Sequence, residues 1–304
     1  MNDYIDALAD FALGTRYDDI PSPVIEHTKL IFSDTLPVVA SGMQEPEMRS
    51  LVAWHLPKAS PGQANVLGTG KRAGPLDAAM LNAMAGVWNE LDDDFKPEKA
   101  VTRLGDWWLI ADNYIKLYPS ARYVHCAIDA LLDAISRAPD GTVDPGRVDH
   151  VEVYGYRMLV FCGNPKPTSM FDTRFSTPFS IATILIHRRR DLDVFGEAAF
   201  NNPAVMELAS RVQMIEVAAM DENFPTEIPA RVKIVMKDGS SCEGGVTVPK
   251  GERNNQHSAE ELERKFFQLA QPVWGDQLAR MVRESCLAID KLENVRALAG
   301  GTAL

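Results

Sequence analysis

Val148-Asp149-His150-Val151-Glu152-Val153-Tyr154-Gly155-Tyr156 alternates apolar and polar side chains with period two, as a half-buried strand does. The chain on both sides of this region reads as helix. Upstream, Ile5, Leu8, Ala9 and Ala12 recur at helical spacing before Gly14 stops the run. Ser22-Pro23 is a helix start, opening a run with Val24, Thr28, Ile31 and Thr35 on one face, which Pro37 should end or kink. A further helix is expected from Glu47 to Leu56, then an irregular stretch rich in Gly and Pro from Pro57 to Gly74. Asp77 is expected to cap the next helix, with Leu81, Met84, Trp88 and Leu91 as its apolar seam. Within the irregular stretch, Gly68-Thr69-Gly70-Lys71 lacks the residues of a P-loop and reads as a plain turn.

Downstream of the alternating stretch the pattern is mixed. Helices are expected from Phe175 to Arg189 and, capped by Asn202, from Pro203 to Arg211. Strands are expected at Ile215–Ala218, Ala230–Lys237 and Glu243–Val248, the last two joined at Asp238-Gly239 as a tight hairpin. Ser258-Ala259-Glu260-Glu261 is a capping box. It opens a helix with Leu262, Phe266 and Leu269, followed by another from Gln277 to Leu287 and a helical tail. The order helices, then α+β, then helices predicts a mainly α protein: an all-helical domain interrupted by a smaller α+β domain. The expected division is 1–140 for the first helical part, 141–250 for the α+β domain and 251–304 for the returning helices.

Composition limits the function. The chain has 304 residues, 46% hydrophobic and 24% charged, with a formal net charge of −11. Nucleic acid and anionic membrane surfaces are poor partners for such a charge. A small anion can bind only where local cations overcome the global field. Its four cysteines, Cys126, Cys162, Cys242 and Cys286, form no CxxC pair, which argues against a zinc site or disulfide framework. The acidic, amphipathic opening MNDYIDALADFALG lacks the blocks of a signal peptide, and no apolar run is long enough to span a bilayer. A cytoplasmic protein is expected.

Two segments carry candidate chemistry. In Asn113-Tyr114-Ile115-Lys116-Leu117-Tyr118-Pro119-Ser120-Ala121-Arg122-Tyr123-Val124-His125, a strand-like run leads into a helix expected over Ser120–Arg137 and closed at Pro139-Asp140-Gly141. A helix opening at Ser120 would aim free N–H groups, beside Lys116, Arg122 and His125, at a carboxylate. The alternative is a solvated turn with a few basic residues. The second segment, Glu90-Leu91-Asp92-Asp93-Asp94, places carboxylates at a helix C-terminus, where each opposes the dipole by about 0.3–1 kcal/mol. It is either a solvated acidic turn or a carboxylate pair that binds protons or orients substrate. Arg188-Arg189-Arg190 reads as a solvated helix end.

Five stretches, in order, resemble the MmgE/PrpD family, which contains 2-methylcitrate dehydratase, cis-aconitate decarboxylase and iminodisuccinate epimerase. LADFALGTRYDDIPSPVIEHTKLIFSDTLPVVASG is similar to its first two helices, and AAMLNAMAGVWNELDDDF to its helix ending in a DFDDT-type motif. YIKLYPSARYVHCAIDAL resembles its K-x-Y-P…H motif, DTRFSTPFSIATIL its FSLPY motif, and VPKGERNNQHSAEELERKF its PKG-x-x-x-N…EEL-x-x-KF segment. The departures are specific. Glu90 stands for the first Asp and Asp94 for the Thr of the acidic motif, and Phe179 for the tyrosine of FSLPY. Only about a dozen residues separate Asp94 from Trp107, where the family has a long helical segment carrying active-site histidines.

The resemblance implies a helical domain with an α+β insertion, a homodimer, no metal and no organic cofactor. It implies a lyase or isomerase that removes a proton next to a carboxylate of a small di- or tricarboxylate. It then expels water, loses CO2 or reprotonates the other face. Such chemistry needs cations on the carboxylates and on the developing enediolate-like charge, a base of near-neutral pKa, and an acid. By motif, Lys116 is the candidate for carboxylate binding or proton transfer. Asp92 and Asp93 would orient base or substrate. His125 is a further site residue, or else a satisfied core histidine. Arg122, Glu90 and Tyr118 are candidates for substrate binding. Lys116 and its basic surroundings are expected to face Asp92/Asp93 across a cleft. The alternative is a non-catalytic or partial family member that lost the histidine-bearing segment and serves in folding or subunit interaction. A hydrolase using Cys126 or Ser120 with His125 is a weaker reading, because no G-x-S-x-G elbow is present.

Overall fold

The computed structural model describes residues 3–85, 106 and 108–292. The chain divides into two compact units, Met1–Asn113 with Leu262–Leu304, and Tyr114–Glu261. The protein is mainly helical with an α+β part, and the helical unit is interrupted by the insertion that carries the larger sheet. No helix among the described residues is long and apolar enough to cross a membrane.

The first unit contains helices Asp3–Gly14, Ser22–Gly42, Pro46–His55 and Pro75–Ala85. Pro37 does not end its helix, which runs on to Gly42. Its ring is buried, and packing of that helix tolerates the one backbone bond a proline removes. Asp77 is not the cap of its helix but sits in the first turn. Its Oδ2 accepts the Ser60 N–H (2.9 Å) and hydroxyl (2.5 Å), and its Oδ1 lies 2.8 Å from His55 Nε2. These contacts, Ser60 first, hold its carboxyl below the usual range. The stretch expected to be irregular contains a short hairpin, β1 (Ala64–Val66) antiparallel to β2 (Lys71–Ala73). Gly68 and Gly70 supply the left-handed conformations of its turn (φ 73° and 66°), and three-residue strands are too short to show period two in sequence.

The returning helix spans Ala259–Leu287, broken at Gly275 (φ 71°, ψ 169°) into the two helices expected. Phe266, Ala270 and Trp274 before the break, and Ala279, Val282 and Cys286 after it, share one core cluster with Ala40. Nearly buried Lys265 is paired with Asp34 at 2.5 Å. The acidic motif at 90–94, the seam residues Trp88 and Leu91, and Trp107 lie outside the described residues.

The second unit is built on a four-stranded sheet in the order β4-β3-β5-β6. The strands are β3 (Val148–Gly155), β4 (Val212–Glu216), β5 (Ala230–Met236) and β6 (Ser241–Val246). Val148, Val151, Val153 and Gly155 are the buried alternate positions of β3, with a register shift at Val148/His150. β3 and β4 are parallel, Val151 opposite Val212, so their connection must cross over the sheet. It does so through helices that include Thr177–His187 and Pro203–Ala209. Ser176 Oγ caps the first at the Phe179 N–H (3.1 Å) and Asn202 Oδ1 caps the second at the Ala204 N–H (3.0 Å). β4 starts three residues earlier than expected, where Val212, Gln213 and Met214 alternate before apolar Ile215 breaks the phase. The β5–β6 hairpin turns at Asp238-Gly239, where Gly239 has φ 85°.

The second unit begins before the change of pattern at Gly141 because helix Arg122–Ser136 packs on β5 and β6. Val124, Ile128, Leu131 and Ala134 are its buried face. The approach is close. A Cβ on Gly244 would lie 2.2 Å from the Ala134 nitrogen and 2.7 Å from the Ala130 carbonyl oxygen. Asp133 Oδ2 fixes the same contact by accepting the Gly245 N–H (2.9 Å). Gly244→Ala therefore forces backbone away from backbone and should destabilise the protein by about 2–3 kcal/mol in chemical denaturation, whereas Gly146→Ala, whose added Cβ meets nothing closer than 3.5 Å, should cost less.

Candidate functional site

The segment Tyr114–Ser120 is irregular rather than a strand. It is held from one side by the turn at Lys250-Gly251. The Ile115 N–H donates to the Gly251 carbonyl (3.4 Å), and the Ile115 carbonyl lies 2.8 Å from His257 Nε2. Gly251 has φ 101°, and a Cβ there would lie 2.3 Å from the Ile115 oxygen and 2.7 Å from the Tyr114 ring. Lys116 follows this contact and is half-buried.

Helix Arg122–Ser136 starts two residues later than expected, with Ala121 at its N-cap. Ser120 is not the cap; its hydroxyl is buried with no hydrogen-bond partner. On the helix, His125 and Asp129 are four residues apart and so share a face. His125 is 0% exposed and lies between two rings, with centroids 5.4 Å from Tyr114 and 5.0 Å from Tyr118. Tyr114 Oη lies 2.6 Å from His125 Nδ1. Tyr118, 2% exposed, donates its hydroxyl to Asp129 Oδ1 (3.0 Å), and the Lys250 N–H donates to Asp129 Oδ2 (2.7 Å).

An ionic layer surrounds this core. Lys250 Nζ lies 2.9 Å from both oxygens of Glu261, and Arg190 reaches the same carboxylate at 3.2 Å. Arg122 donates through Nε (2.8 Å) and Nη2 to Glu252 Oε1, and its guanidinium stands 5.3 Å from the Tyr114 ring centroid. Glu261 also closes the capping box, accepting the Ser258 N–H (2.9 Å) while its own N–H donates to Ser258 Oγ (3.2 Å).

The environment sorts these groups by protonation. Burial pushes the Tyr114 and Tyr118 phenols far up, and the charge of Asp129 adds to it. Both stay protonated, and Tyr118 donates to Asp129, while between the Tyr114 hydroxyl and His125 Nδ1 the donor is set by the imidazole tautomer. Burial also raises Asp129, against the pull of the Lys250 N–H and the Tyr118 hydroxyl. For Glu261 burial acts upward, but the Lys250 ammonium, the Ser258 N–H and the Arg190 guanidinium outweigh it and hold the group at about 2.

Of the residues expected at a site, Lys116, Tyr118, Arg122 and His125 all fall in the second unit, and Tyr118 and His125 touch. Tyr118 and His125 are interior groups, and Arg122 is engaged by Glu252 rather than presented as an open clamp. Glu90, Asp92 and Asp93 lie outside the described residues. Cys126 is buried, its thiol is pushed up by that burial, and it donates to the Tyr123 carbonyl (3.0 Å), so it is no activated nucleophile. Among the described residues, no three His, Cys, Asp or Glu side chains gather in a way that could hold a metal ion.

Asp129, Arg190, Lys250, Glu252, His257 and Glu261 are not among the site residues expected from sequence, although the last four lie in the quoted stretch VPKGERNNQHSAEELERKF. The i, i+4 relation of Asp129 to His125 was a usable signal. Arg190, expected at a solvated helix end, instead reaches Glu261, and Glu261 reads from sequence as a cap alone.

The MmgE/PrpD N-terminal domain matches residues 6–102 and the MmgE/PrpD C-terminal domain residues 118–291. The chain is 25% identical over 218 residues to cis-aconitate decarboxylase of Aspergillus terreus, covering 69% of this chain and 44% of that protein. It is 23% identical over 216 residues to the cis-aconitate decarboxylase-like protein oryM of Aspergillus oryzae, covering 67% of this chain and 43% of that one. The match thus spans less than half the length of these relatives.

The ionic layer gives a pH prediction. A carboxyl held at about 2 against an ordinary 4.5 stabilises the fold fully above pH 4.5, and that contribution is lost as pH falls toward 2. Glu261→Gln should cost about 1–3 kcal/mol at pH 7, measured by urea denaturation, and the gap to wild type should narrow between about pH 5 and pH 2.

Proposed function

The chain belongs to the MmgE/PrpD family, and from that premise we propose that it acts, without organic cofactor, as a lyase or isomerase on a small di- or tricarboxylate. Dehydration and epimerisation begin with removal of a proton next to a carboxylate, whereas loss of CO2 leaves an electron pair on carbon that an acid must protonate; the similarity to cis-aconitate decarboxylase favours loss of CO2. The observation that carries the reading is the setting of Lys116. The motif lysine is half-buried directly after a residue held at both backbone groups, in the segment that also carries Tyr114 and Tyr118.

Each residue has a role in this reading. Lys116 binds a substrate carboxylate or moves the proton, and a positioned cation is worth most as charge develops on the enediolate. His125, held by Tyr114, is the second group able to carry a proton. Tyr118 shapes the site through Asp129. Arg122, held by Glu252, supplies a fixed positive charge behind Tyr114. Glu90, Asp92 and Asp93 orient the base or the substrate.

Proton–deuterium exchange followed by NMR on a panel of citrate-like and aminodicarboxylic acids tests this. Wild type should exchange the hydrogen next to a carboxylate of at least one acid, and Lys116→Ala should exchange it at least about 100-fold more slowly. A second reading, a non-catalytic or partial family member that serves folding or subunit interaction, is supported by the coverage of 44% of the relative's length. Neither exchange nor loss of CO2 by wild type on any acid would favour it.

We also propose a homodimer. Large apolar side chains are exposed in both units, among them Leu13, Trp54 and Leu76 in the first and Phe161 and Phe171 in the second. Surfaces of that kind mark association when they are contiguous. Sedimentation should give twice the chain mass, and a well-behaved monomer would count against it.

A further inference from the structure

Ile115 has two backbone hydrogen-bonding groups, and both are taken by one element. Gly251 accepts from its N–H (3.4 Å) and His257 Nε2 stands 2.8 Å from its carbonyl. The His257 side chain is 1% exposed. Its other nitrogen, Nδ1, lies 3.9 Å from Glu261 Oε2. Glu261 is itself fixed by Lys250 and Ser258, and the Lys250 backbone is fixed by Asp129. Gly251 cannot carry a side chain, because its Cβ would overlap the Ile115 oxygen and lie 2.8 Å from His257 Nε2. A chain of direct contacts therefore runs from Asp129 and Glu261 to the peptide that leads into Lys116.

We propose that His257, with Gly251 beside it, is the positioning residue for Lys116, acting through the Ile115 carbonyl. The inference rests on the reading of Lys116 as the working amine. A lysine chain has about 2 kcal/mol of rotamer entropy, so an amine on loose backbone reaches its target geometry in few of its conformations. Fixing the peptide before it removes that freedom at its origin, and reactive geometry is sensitive to shifts of about 1 Å. His257 touches no reacting atom in this scheme. Its one requirement is a proton on Nε2, which both the imidazolium and the Nε2–H tautomer of neutral imidazole supply.

Three variants of the full chain test it: His257→Gln, His257→Leu and Gly251→Ala. Glutamine places an N–H donor near the position of Nε2, whereas leucine fills space without donating. Two readouts are local, amide hydrogen exchange at Ile115, and the rate and pH midpoint of acetic anhydride labelling at Lys116, read by peptide mass spectrometry. Melting temperature is followed beside them. In His257→Leu and Gly251→Ala the Ile115 amide should exchange at least tenfold faster and Lys116 labelling should change at least threefold. His257→Gln should stay within twofold of wild type. Unchanged labelling in His257→Leu, or a glutamine variant that behaves like the leucine one, would overturn the proposal. Should the variants fail to fold, the wild type decides. A protected Ile115 amide supports the clamp, and exchange as fast as in an unstructured peptide overturns it. No readout uses turnover. Loss of substrate exchange in Lys116→Ala with unchanged labelling in His257→Leu would remove the clamp and leave the proposed function standing.

Discussion

The carboxylate of Asp129 joins three pieces of chain, two of them consecutive and the third 121 residues further on. It receives the Tyr118 hydroxyl from the lysine segment and the Lys250 N–H from the turn before the returning helix, while its own backbone belongs to helix Arg122–Ser136. Burial alone makes such a carboxylate unfavourable, which is why its pKa rises. Two charge-assisted hydrogen bonds, each of about 1.5–3 kcal/mol, offset that cost and give the unit a defined geometry. Removing either donor would leave a shielded oxygen unsatisfied. Tyr118 in turn packs its ring on His125, so the same carboxylate sets the histidine's neighbour.

Two glycines let backbone approach backbone around this bond. At Gly244 the missing Cβ allows the helix to rest on the sheet, and at Gly251 it allows the turn to rest on Ile115. These are contacts between regular elements or anchored turns, not between free loops. Lys116 is irregular in backbone conformation, yet the residue before it is held by Gly251 and His257, whose loop is tied to Asp129 on the helix and closed by the capping box. A site supported in this way is held more firmly than one carried by loops alone.

The legible parts of the sequence were those where one local signal decides. Period two in β3, the Asp-Gly hairpin, the caps at Asn202 and Ser258 and the break between the last two helices needed no tertiary information. What escaped depended on distant partners. Pro37 reads as a helix breaker until its burial is known, and Asp77 reads as a cap until Ser60 and His55 come to it. Lys116, Tyr118, Arg122 and His125 stood out through a motif and lie together in one unit. Arg190 and Lys250 were harder to find. A charge near a chain turn is usually solvated, and only the fold brings both onto Glu261.

Under the proposed function the question is which group moves a proton, and the electrostatics of the described groups bears on it. Tyr114 and Tyr118 keep their protons because burial opposes the phenolate. Asp129 has both oxygens occupied by fixed donors, and Glu261, ionised at any neutral pH, is occupied by two cations and a backbone N–H. Arg122 and Arg190 each already face a carboxylate. An anionic substrate entering a chain of net charge −11 would meet cations whose charge is largely answered from within. That answer has a benefit. Fixed ion pairs keep the positive ends oriented, so little reorganisation is needed as negative charge develops nearby. In the proposed reading Lys116 meets the substrate carboxylate, and His125, fully buried between the Tyr114 and Tyr118 rings, is the second group that carries a proton.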